Sequence, residues 1–297
     1  MTTQSQTIAF IGLGNIGGGA AANLARAGHA LRVADLDPDK TAALVALGAT
    51  ACSSPADATR GANVVFTSLP GPKQIAAVGA ELLSAMTAGS TWIELSTNDL
   101  ATARSLGAQA DKAGVHMIDA PVSGGPEGSA AGTLAIFVGG DAEPVAHVLP
   151  LLNVIGAKVD HLGPRGAGIV AKIAQVTLCY TQTVTLIEAL LLGVKGGVEP
   201  AKMLDLIQNS AGTSYSATAY GPEILAGTYD ASFPIAHAAK DMRLAMEMAA
   251  TVGADLPFTA SVAELYAETE AEYGADAAHC LAAQLIERRN NMLLHEL

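Results

Sequence analysis

The sequence is poor in the residues that build disulfide frameworks, metal sites and nucleic-acid surfaces. It has three cysteines among 297 residues, far apart and odd in number, and it lacks any HxxxH or CxxC pair. This excludes a disulfide framework and offers no metal-ligand spacing, so no metal is expected. Lysine and arginine number 16 against 28 acidic residues, for a net charge of −12. An acidic chain without a basic cluster is a poor nucleic-acid binder and a poor ligand for an anionic membrane surface.

A signal peptide and a membrane span are not expected either. The N-terminus, MTTQSQ, has no basic n-region. The most apolar stretch, residues 176–194, is interrupted by Gln182, Glu188 and four threonines, which favours a core helix or a subunit interface over a membrane span. Half of the residues are hydrophobic and 15% are charged, so we predict a folded, cytoplasmic globular protein.

The first half of the sequence alternates apolar runs with helical stretches. The predicted strands are TIAFIGLG, ALRVADLD, NVVFTSLP, TWIELST, VHMIDAPV and GTLAIFVGGD. Helix signals lie between them, such as Asp37 followed by Pro38, an N-cap with proline at the first helical position. Strands separated by helices predict a parallel, doubly wound sheet.

The pattern changes near GPRGAG, residues 163–168, and no convincing strand follows. Helical runs are predicted at 169–194, 200–210, 240–252, 257–272 and 277–294. We therefore predict an α/β Rossmann-type domain over residues 1–165 and an all-helical domain over residues 166–297.

A dinucleotide-binding motif follows the first predicted strand. It is Gly12-Leu13-Gly14-Asn15-Ile16-Gly17, which fits G-x-G-x-x-G and opens a predicted helix. The first glycine permits a tight turn, the second a close approach of pyrophosphate, and the third close packing of helix and strand. All six residues are predicted to bind the cofactor, with its phosphates at the helix N-terminus. The alternative is a glycine-rich turn without a ligand.

Asp35 favours NAD over NADP. It ends the second predicted strand, 18 residues after Gly17. A carboxylate at this position accepts hydrogen bonds from a ribose diol and repels a 2′-phosphate. Arg32 is not placed in the sequence where it would obviously receive that phosphate.

Several further motifs resemble one family. They are SLP (68–70), ST (96–97), DAPVSGG (119–125), GTL (132–134), VGGD (138–141), Lys172 and KD (240–241). Together with GLGNIG, they closely resemble the β-hydroxyacid dehydrogenase family, which includes 3-hydroxyisobutyrate dehydrogenase and tartronate semialdehyde reductase. The resemblance covers about residues 8–250, and it implies a Rossmann-type domain followed by helices like those of 6-phosphogluconate dehydrogenase.

The resemblance implies that Ser123, Gly124 and Gly125 bind the substrate's carboxylate. A hydroxyl and adjacent backbone N–H groups suit such an anion, although a plain turn after a strand is the alternative. By the same resemblance Lys172 is catalytic: it donates a proton when a carbonyl is reduced and removes one when an alcohol is oxidised. A free lysine, with a pKa of about 10.4, is too basic, and desolvation beside a cationic nicotinamide would lower that pKa. The alternative is a lysine that snorkels from a packed helix.

The resemblance also implies that Leu69, Pro70 and Thr97 surround the ribose and nicotinamide of the cofactor. Lys240, from the helical region, would reach the cofactor too. An ordinary exposed lysine at a helix start is an equally supported interpretation of Lys240.

Two positions depart from the family pattern. Gln175 stands where Asn is usual, three residues after Lys172 and on the same helix face. Its amide is predicted to hold the substrate hydroxyl or carboxylate, but it lies about 1.5 Å further out, which puts the substrate in doubt more than the reaction. His237 stands where an apolar residue is common, and it either lines the pocket or is a satisfied histidine.

We therefore expect an NAD-dependent β-hydroxyacid dehydrogenase or semialdehyde reductase that forms a homodimer or homotetramer and acts on a small carboxylate-bearing substrate. An imine reductase is the first alternative, although those enzymes commonly have Asp or Tyr in place of the lysine and prefer NADP. A non-catalytic binding module on the same fold is the second alternative. Such modules tend to lose the lysine or the substrate loop, and this chain has both.

Overall fold

The computed structural model describes residues 6–296, which divide into two compact units. The first unit ends at Lys172 and the second begins at Ile173, so the division falls within one long helix. The domain boundary predicted after residue 165 lies a little before this division and stays a prediction.

The first unit is built on a nine-stranded sheet. Its strands are β1 (Thr7–Ile11), β2 (Ala30–Ala34), β3 (Thr50–Ala51), β4 (Val64–Thr67), β5 (Thr91–Glu94), β6 (His116–Asp119), β7 (Val122–Ser123), β8 (Leu134–Gly139) and β9 (Gly156–Gly163). The strand order is β3-β2-β1-β4-β5-β6-β8-β7, and β9 pairs with β8. All six strands predicted from the sequence are present.

Helices cover both faces of this sheet. They are α1 (Gly17–Arg26), α2 (Pro38–Val45), α3 (Pro55–Thr59), α4 (Pro72–Ala85), α5 (Leu100–Ala113), α6 (Gly125–Ala131) and α7 (Ala142–Ile155). Along β1, Ile8 and Phe10 enter one apolar core, whereas Ala9 and Ile11 enter the other. Because both faces are buried, the central strands are continuous apolar runs in the sequence.

The predicted parallel sheet is confirmed, and it has antiparallel pairs at one edge. Strand β8 runs antiparallel to β6 and β7, and β9 then runs parallel to β8. Strand β9 was not predicted, because its sequence, GAKVDHLG, carries polar and largely exposed residues rather than an apolar run. Strands β3 and β7 have two residues each, which is too short for a periodic signal.

The second unit is helical. Its elements are α8 (Ala167–Lys195, which begins in the first unit), α9 (Pro200–Gln208), a π-helix (Ser216–Tyr220), α10 (Gly221–Leu225), α11 (Ile235–Val252), α12 (Pro257–Tyr273), α13 (Leu281–Arg289) and a 3₁₀ turn (Leu294–Glu296). Within residues 173–296 the only β-pairing is an isolated bridge between Pro234 and Ala278. The helix predicted over 277–294 is shorter than expected, because the chain turns after Arg289 and Asn291 adopts a left-handed conformation with φ of 53°.

Helix α8 is long and apolar enough, by length and composition, to cross a membrane. Its inward side chains include Val176, Tyr180, Val184 and Ile187, and all four belong to the buried core of the second unit. This side of the helix is therefore packed in a protein core, as the polar interruptions in its sequence predict.

Candidate active site

Two glycines of the dinucleotide motif have no room for a side chain. A Cβ on Gly12, whose φ is +86°, would lie 2.1 Å from the carbonyl oxygen of Ser68, and a Cβ on Gly17 would lie 2.0 Å from that of Gly12. At Gly14, by contrast, nothing lies within 4 Å of the Cβ position. The loop is therefore tightly packed at its two ends and open in the middle, in front of the first N–H groups of α1. This arrangement fits a pyrophosphate at Gly12–Gly17, including Leu13, Asn15 and Ile16, whose cofactor contacts stay predictions.

The carboxylate of Asp35 holds the same loop. Its Oδ2 accepts a hydrogen bond from the Leu13 N–H at 2.6 Å, and its Oδ1 accepts one from the Asp37 N–H at 2.9 Å. Each oxygen keeps a further lone pair for a ribose hydroxyl. Arg32 is engaged elsewhere, since its guanidinium donates to the carbonyl oxygens of Asp57 and Ala58. The carboxylate of Asp35 can bind a ribose diol, and the guanidinium of Arg32 is not available for a 2′-phosphate, so both features fit NAD.

A hydrogen-bond relay connects the loops that follow β4 and β5. The Leu69 N–H donates to Ser96 Oγ at 2.7 Å, and the Ser96 hydroxyl donates to Glu94 Oε1. Glu94 is 1% exposed, and burial raises its pKa to about 7. The relay sets the backbone beside Pro70 and Thr97, the other two predicted cofactor contacts. Sequence reasoning missed Glu94, and the available signal was an acidic residue inside the apolar run TWIELST.

The predicted substrate loop lies between β7 and α6. Gly124 and Gly125 have φ angles of +129° and +64°, conformations that side-chain-bearing residues adopt rarely. Left-handed backbone of this kind turns successive N–H groups toward one side, where they and the Ser123 hydroxyl can receive an anion. The loop therefore needs its two glycines for its shape, and carboxylate binding by the three residues stays a prediction.

Helix α6 ties this loop to the dinucleotide loop. The hydroxyl of Ser129, which is fully buried, donates to the carbonyl oxygen of Ile16, and the amide of Asn23 donates to the Ser129 carbonyl oxygen at 2.8 Å. A Cβ on Gly19 would lie 2.6 Å from Ser129 Oγ, so α1 and α6 are in close contact. The two predicted ligand-binding loops thus belong to one packed block, which sequence reasoning did not anticipate.

Lys172 lies in the second turn of α8 and is 9% exposed. Its neighbours Ile169 and Ile173 are buried, whereas Gln175, three residues on, is exposed. The first turn of this helix is held by Asp119, whose carboxylate accepts hydrogen bonds from the N–H groups of Gly166 at 2.6 Å and Ile169 at 3.0 Å. The low exposure of Lys172 does not fit a lysine that simply snorkels into water.

In the second unit, Lys240 lies on α11 and forms an ion pair with its neighbour. Its Nζ is 3.3 Å from Asp241 Oδ1, and its side chain is 18% exposed. Asp241 is buried and also accepts a hydrogen bond from the Tyr180 hydroxyl at 3.4 Å. The interpretation of Lys240 as an ordinary exposed lysine is therefore wrong, and its predicted contact with the cofactor stays a prediction.

His237 packs against an aromatic ring. Its ring centroid is 5.4 Å from that of Phe233, and burial lowers its pKa, with the charge of Lys240 acting in the same direction. This environment fits a histidine that is satisfied by packing, one of the two interpretations left open by the sequence. Among residues 6–296, no group of three His, Cys, Asp or Glu side chains is placed to hold a metal ion.

Both halves of the chain match known family descriptions. Residues 7–163 match the NAD binding domain of 6-phosphogluconate dehydrogenase, and residues 166–286 match the NAD-binding domain of NADP-dependent 3-hydroxyisobutyrate dehydrogenase. The chain belongs to the β-hydroxyacid dehydrogenase family. This dehydrogenase is thus an NAD-binding oxidoreductase, and the predicted family, fold class and cofactor are confirmed.

Individual relatives agree along nearly the whole chain. The NAD-dependent L-serine dehydrogenase of Pseudomonas aeruginosa is 37% identical over 87% of this chain and 90% of its own. The 3-hydroxyisobutyrate dehydrogenase of the same organism is 37% identical over 90% and 94%. A solved structure of the Mycobacterium tuberculosis 3-hydroxyisobutyrate dehydrogenase with L-serine superimposes with a TM-score of 0.90 at 32% identity, covering 95% of this chain and 99% of that one.

Proposed function

We propose that this β-hydroxyacid dehydrogenase oxidises a small 3-hydroxy acid to its semialdehyde with NAD, or carries out the reverse reduction, with Lys172 as the general acid/base. The observation that carries the proposal is the burial of Lys172, at 9% exposure, on a helix whose first turn is bonded to the end of β6. Strand β6 leads through residues 120–122 into the Ser123-Gly124-Gly125 loop. Proton exchange and carboxylate binding are thereby assigned to neighbouring parts of the first unit.

Each group of the chain has one task in this reaction. Bound NAD supplies the hydride acceptor. Ser123, Gly124 and Gly125 bind the carboxylate and so orient the carbon that bears the hydroxyl. During oxidation the Lys172 amine accepts the hydroxyl proton, and during reduction the ammonium returns it to the carbonyl oxygen. The amide of Gln175 holds the hydroxyl or the carboxylate from the next turn of α8.

The substrate class follows from what the loop and the lysine require. Ser123 requires a carboxylate and Lys172 requires a hydroxyl, and the substrates named for the relatives indicate that the hydroxyl lies on the third carbon. The named activities of the relatives, on 3-hydroxyisobutyrate and on L-serine, fall within that description. We therefore propose both compounds as first candidates, with the corresponding semialdehydes for the reverse reaction.

The catalytic assignment is tested with Lys172→Ala. General acid/base groups contribute about 10²- to 10⁴-fold, so we expect kcat to fall by that factor while the NADH affinity, measured by fluorescence titration, changes little. The matched control is Lys195→Ala, at the exposed far end of the same helix, which should keep the wild-type kcat. A Lys172→Ala enzyme that turns over as fast as wild type contradicts the assignment.

The cofactor assignment is tested with Asp35→Asn, which removes the charge but preserves the shape. We expect the ratio of kcat/KM for NAD to that for NADP to fall by about 10- to 100-fold, because the amide no longer repels a 2′-phosphate. Asp39→Asn, an exposed carboxylate in the first turn of α2, is the control. An unchanged ratio would remove Asp35 from cofactor selection.

A substrate panel separates this function from its alternatives. The panel contains 3-hydroxyisobutyrate, L-serine, glycerate and their semialdehydes, plus one cyclic imine, each with both cofactors. Turnover of the imine with NADPH and of no acid would favour the imine reductase reading, which Lys172 and Asp35 argue against. Binding of NAD without turnover of any compound would favour a non-catalytic module.

We also infer a homodimer or homotetramer that works in the cytoplasm. Val170, Leu178 and Leu192 lie along one face of α8 with exposures of 41, 59 and 77%, and an exposed apolar face supports a contact with another subunit. Light scattering that finds only monomers at micromolar concentration would contradict the oligomer. Cell fractionation tests the location.

A further inference from the structure

The carboxylate of Asp119 is buried at a place where the reaction scheme gives it no task. It ends β6, is fully buried, and accepts hydrogen bonds from Gly166 and Ile169, which lie 47 and 50 residues further along the chain. The first N–H groups of any helix lack partners inside the helix, and a nearby side chain usually accepts from them. Gly166, directly before α8, has no side chain to do so. Asp119 therefore caps α8 from a neighbouring strand.

Two glycines bring the helix close enough for this capping. A Cβ on Gly168 would lie 2.1 Å from the carbonyl oxygen of Phe137 and 2.9 Å from that of Asp119. A Cβ on Gly139 would lie 2.7 Å from Asp119 Oδ2 and 2.8 Å from the Ala167 nitrogen. The start of α8 thus rests directly on the ends of β6 and β8, with no intervening side chain.

The first turn of α8, which is hydrogen-bonded to Asp119, determines where Lys172 lies. Lys172 follows Ile169 by three residues, and a helix rises only about 1.5 Å per residue, so the lysine is less than one turn from the anchor. Asp119 is also four residues before Ser123 on a short, buried stretch. Asp119 therefore joins the start of the lysine's helix to the strand that leads into the substrate loop.

We propose that Asp119 is a positioning residue that places Lys172 relative to the substrate loop. The inference rests on the proposed function, because it needs Lys172 to be the acid/base. A negative group at a helix N-terminus is favourable, which helps to keep the two hydrogen bonds in place. A displacement of about 1 Å at a reacting group costs on the order of 100-fold in rate, so the anchor has a kinetic consequence.

The first test is Asp119→Asn. The amide has the same shape, but its NH₂ group faces one of the two N–H donors, so one anchoring hydrogen bond is lost. We expect kcat to fall by about 10- to 100-fold, with little change in substrate KM or in NADH affinity, because only the positioning of the lysine is affected. A folded Asp119→Asn enzyme with wild-type kcat overturns the proposal.

The second test displaces the helix and leaves Asp119 intact. Gly168→Ala puts a methyl group against the Phe137 carbonyl and pushes the first turn of α8 away from β8. The same loss of kcat is expected, and a normal kcat in this variant contradicts the proposal. If Asp119→Asn does not fold, the kcat of Gly168→Ala still tests whether the position of the first turn of α8 affects catalysis.

A control separates positioning from a merely structural role. Leu82→Ala truncates a fully buried side chain on α4, so it lowers the melting temperature without touching α8. Assayed below its melting temperature, it should keep the wild-type kcat. If Asp119→Asn behaves like Leu82→Ala, less stable but fully active, Asp119 is structural only and the proposal fails.

Hydrogen exchange gives a readout that does not depend on turnover. In Asp119→Asn we expect the amides of residues 164–172 to exchange at least about ten-fold faster, with the remaining protein unchanged. If the wild-type enzyme oxidises no 3-hydroxy acid, the proposed function fails. The exchange pattern then still decides whether Asp119 anchors α8, and unchanged exchange overturns the anchor.

Discussion

The two units bury ionisable side chains in different settings. In the first unit, Glu94 and Asp119 are register partners at the carboxyl ends of parallel strands, next to the loops assigned to cofactor and substrate. In the second unit, Glu287 accepts hydrogen bonds from the Tyr229 hydroxyl at 2.8 Å and the Leu294 N–H at 2.9 Å. The sheet edge thus gathers buried carboxyl groups beside the loops of the proposed site, whereas Glu287 joins two separate segments of the helical unit.

Burial also gives the two units opposite responses to pH. Glu94 has its pKa raised to about 7, so its burial favours the protonated form. His279 in the second unit has its pKa lowered to about 4, chiefly by burial, so its neutral form is favoured. Alkaline solution should therefore weaken the first unit, and acid solution should weaken the second.

The largest effect is expected at Glu94. The folded state holds its proton more tightly than the unfolded state, so its stabilisation is complete below pH 4.5 and is lost as pH rises through 7. Roughly 3 kcal/mol should be lost between these limits. Glu94→Gln should remove that slope, as read by the fluorescence of Trp92, the chain's single tryptophan, which is buried on the same strand.

The control for Glu94 is Glu143→Gln, an exposed position in the first turn of α7, which should keep the wild-type slope. If Glu94→Gln loses stability at alkaline pH as steeply as wild type, Glu94 is not the group that titrates.

An effect of opposite sign, and no larger than that of Glu94, is expected at His279. Its stabilisation is complete above pH 6.5 and is lost as pH falls toward 4, because the unfolded state takes up the proton first. The loss should be roughly 3 kcal/mol, and it would be larger without the carboxylate of Asp230, which lies 3.8 Å away and attracts the charged ring. His279→Gln should flatten the acid side of the far-UV circular dichroism transition.

Exposed His116, changed to Gln in the same way, should leave that acid slope unaltered. If the unfolding transitions measured by tryptophan fluorescence and by circular dichroism coincide at every pH, the two units unfold together. The predicted difference between the units would then not be measurable.

The smallest effect is expected for Gln175→Asn, which tests whether the Gln175 side chain takes part in substrate choice. Gln175 lies just past the division at Lys172, one helical turn from it. Shortening the side chain should change the ratio of kcat/KM between L-serine and 3-hydroxyisobutyrate by a factor of about 3 to 10, or about 1 kcal/mol. Gln182→Asn, further along α8, is the control, and an unaltered ratio would exclude Gln175 from selectivity.

Predictability from sequence also differs between the two units. In the first unit six strands and the glycine loop were predicted, because apolar runs, N-caps and prolines act locally. The longest strand, β9, was missed because its residues are polar and largely exposed. In the second unit the helices were predicted but some of their ends were not: α11 begins at Ile235, before the expected residue 240, and α13 ends at Arg289. The tail ends early because Glu287 and Asn291 turn the chain, which involves contacts that no periodicity reveals.

The sequence by itself determined the family, the Rossmann-type fold and the choice of Gly12, Asp35, Ser123 and Lys172 as candidates, because each depends on a short run of residues. Only the tertiary structure decided that β8 is antiparallel to β6, that Glu94 holds the Ser96 hydroxyl, which accepts from the Leu69 N–H, and that Asp119 caps the helix of the lysine. Those features join strand ends and loops far apart in the chain, and their energy comes from burial, which no local pattern encodes.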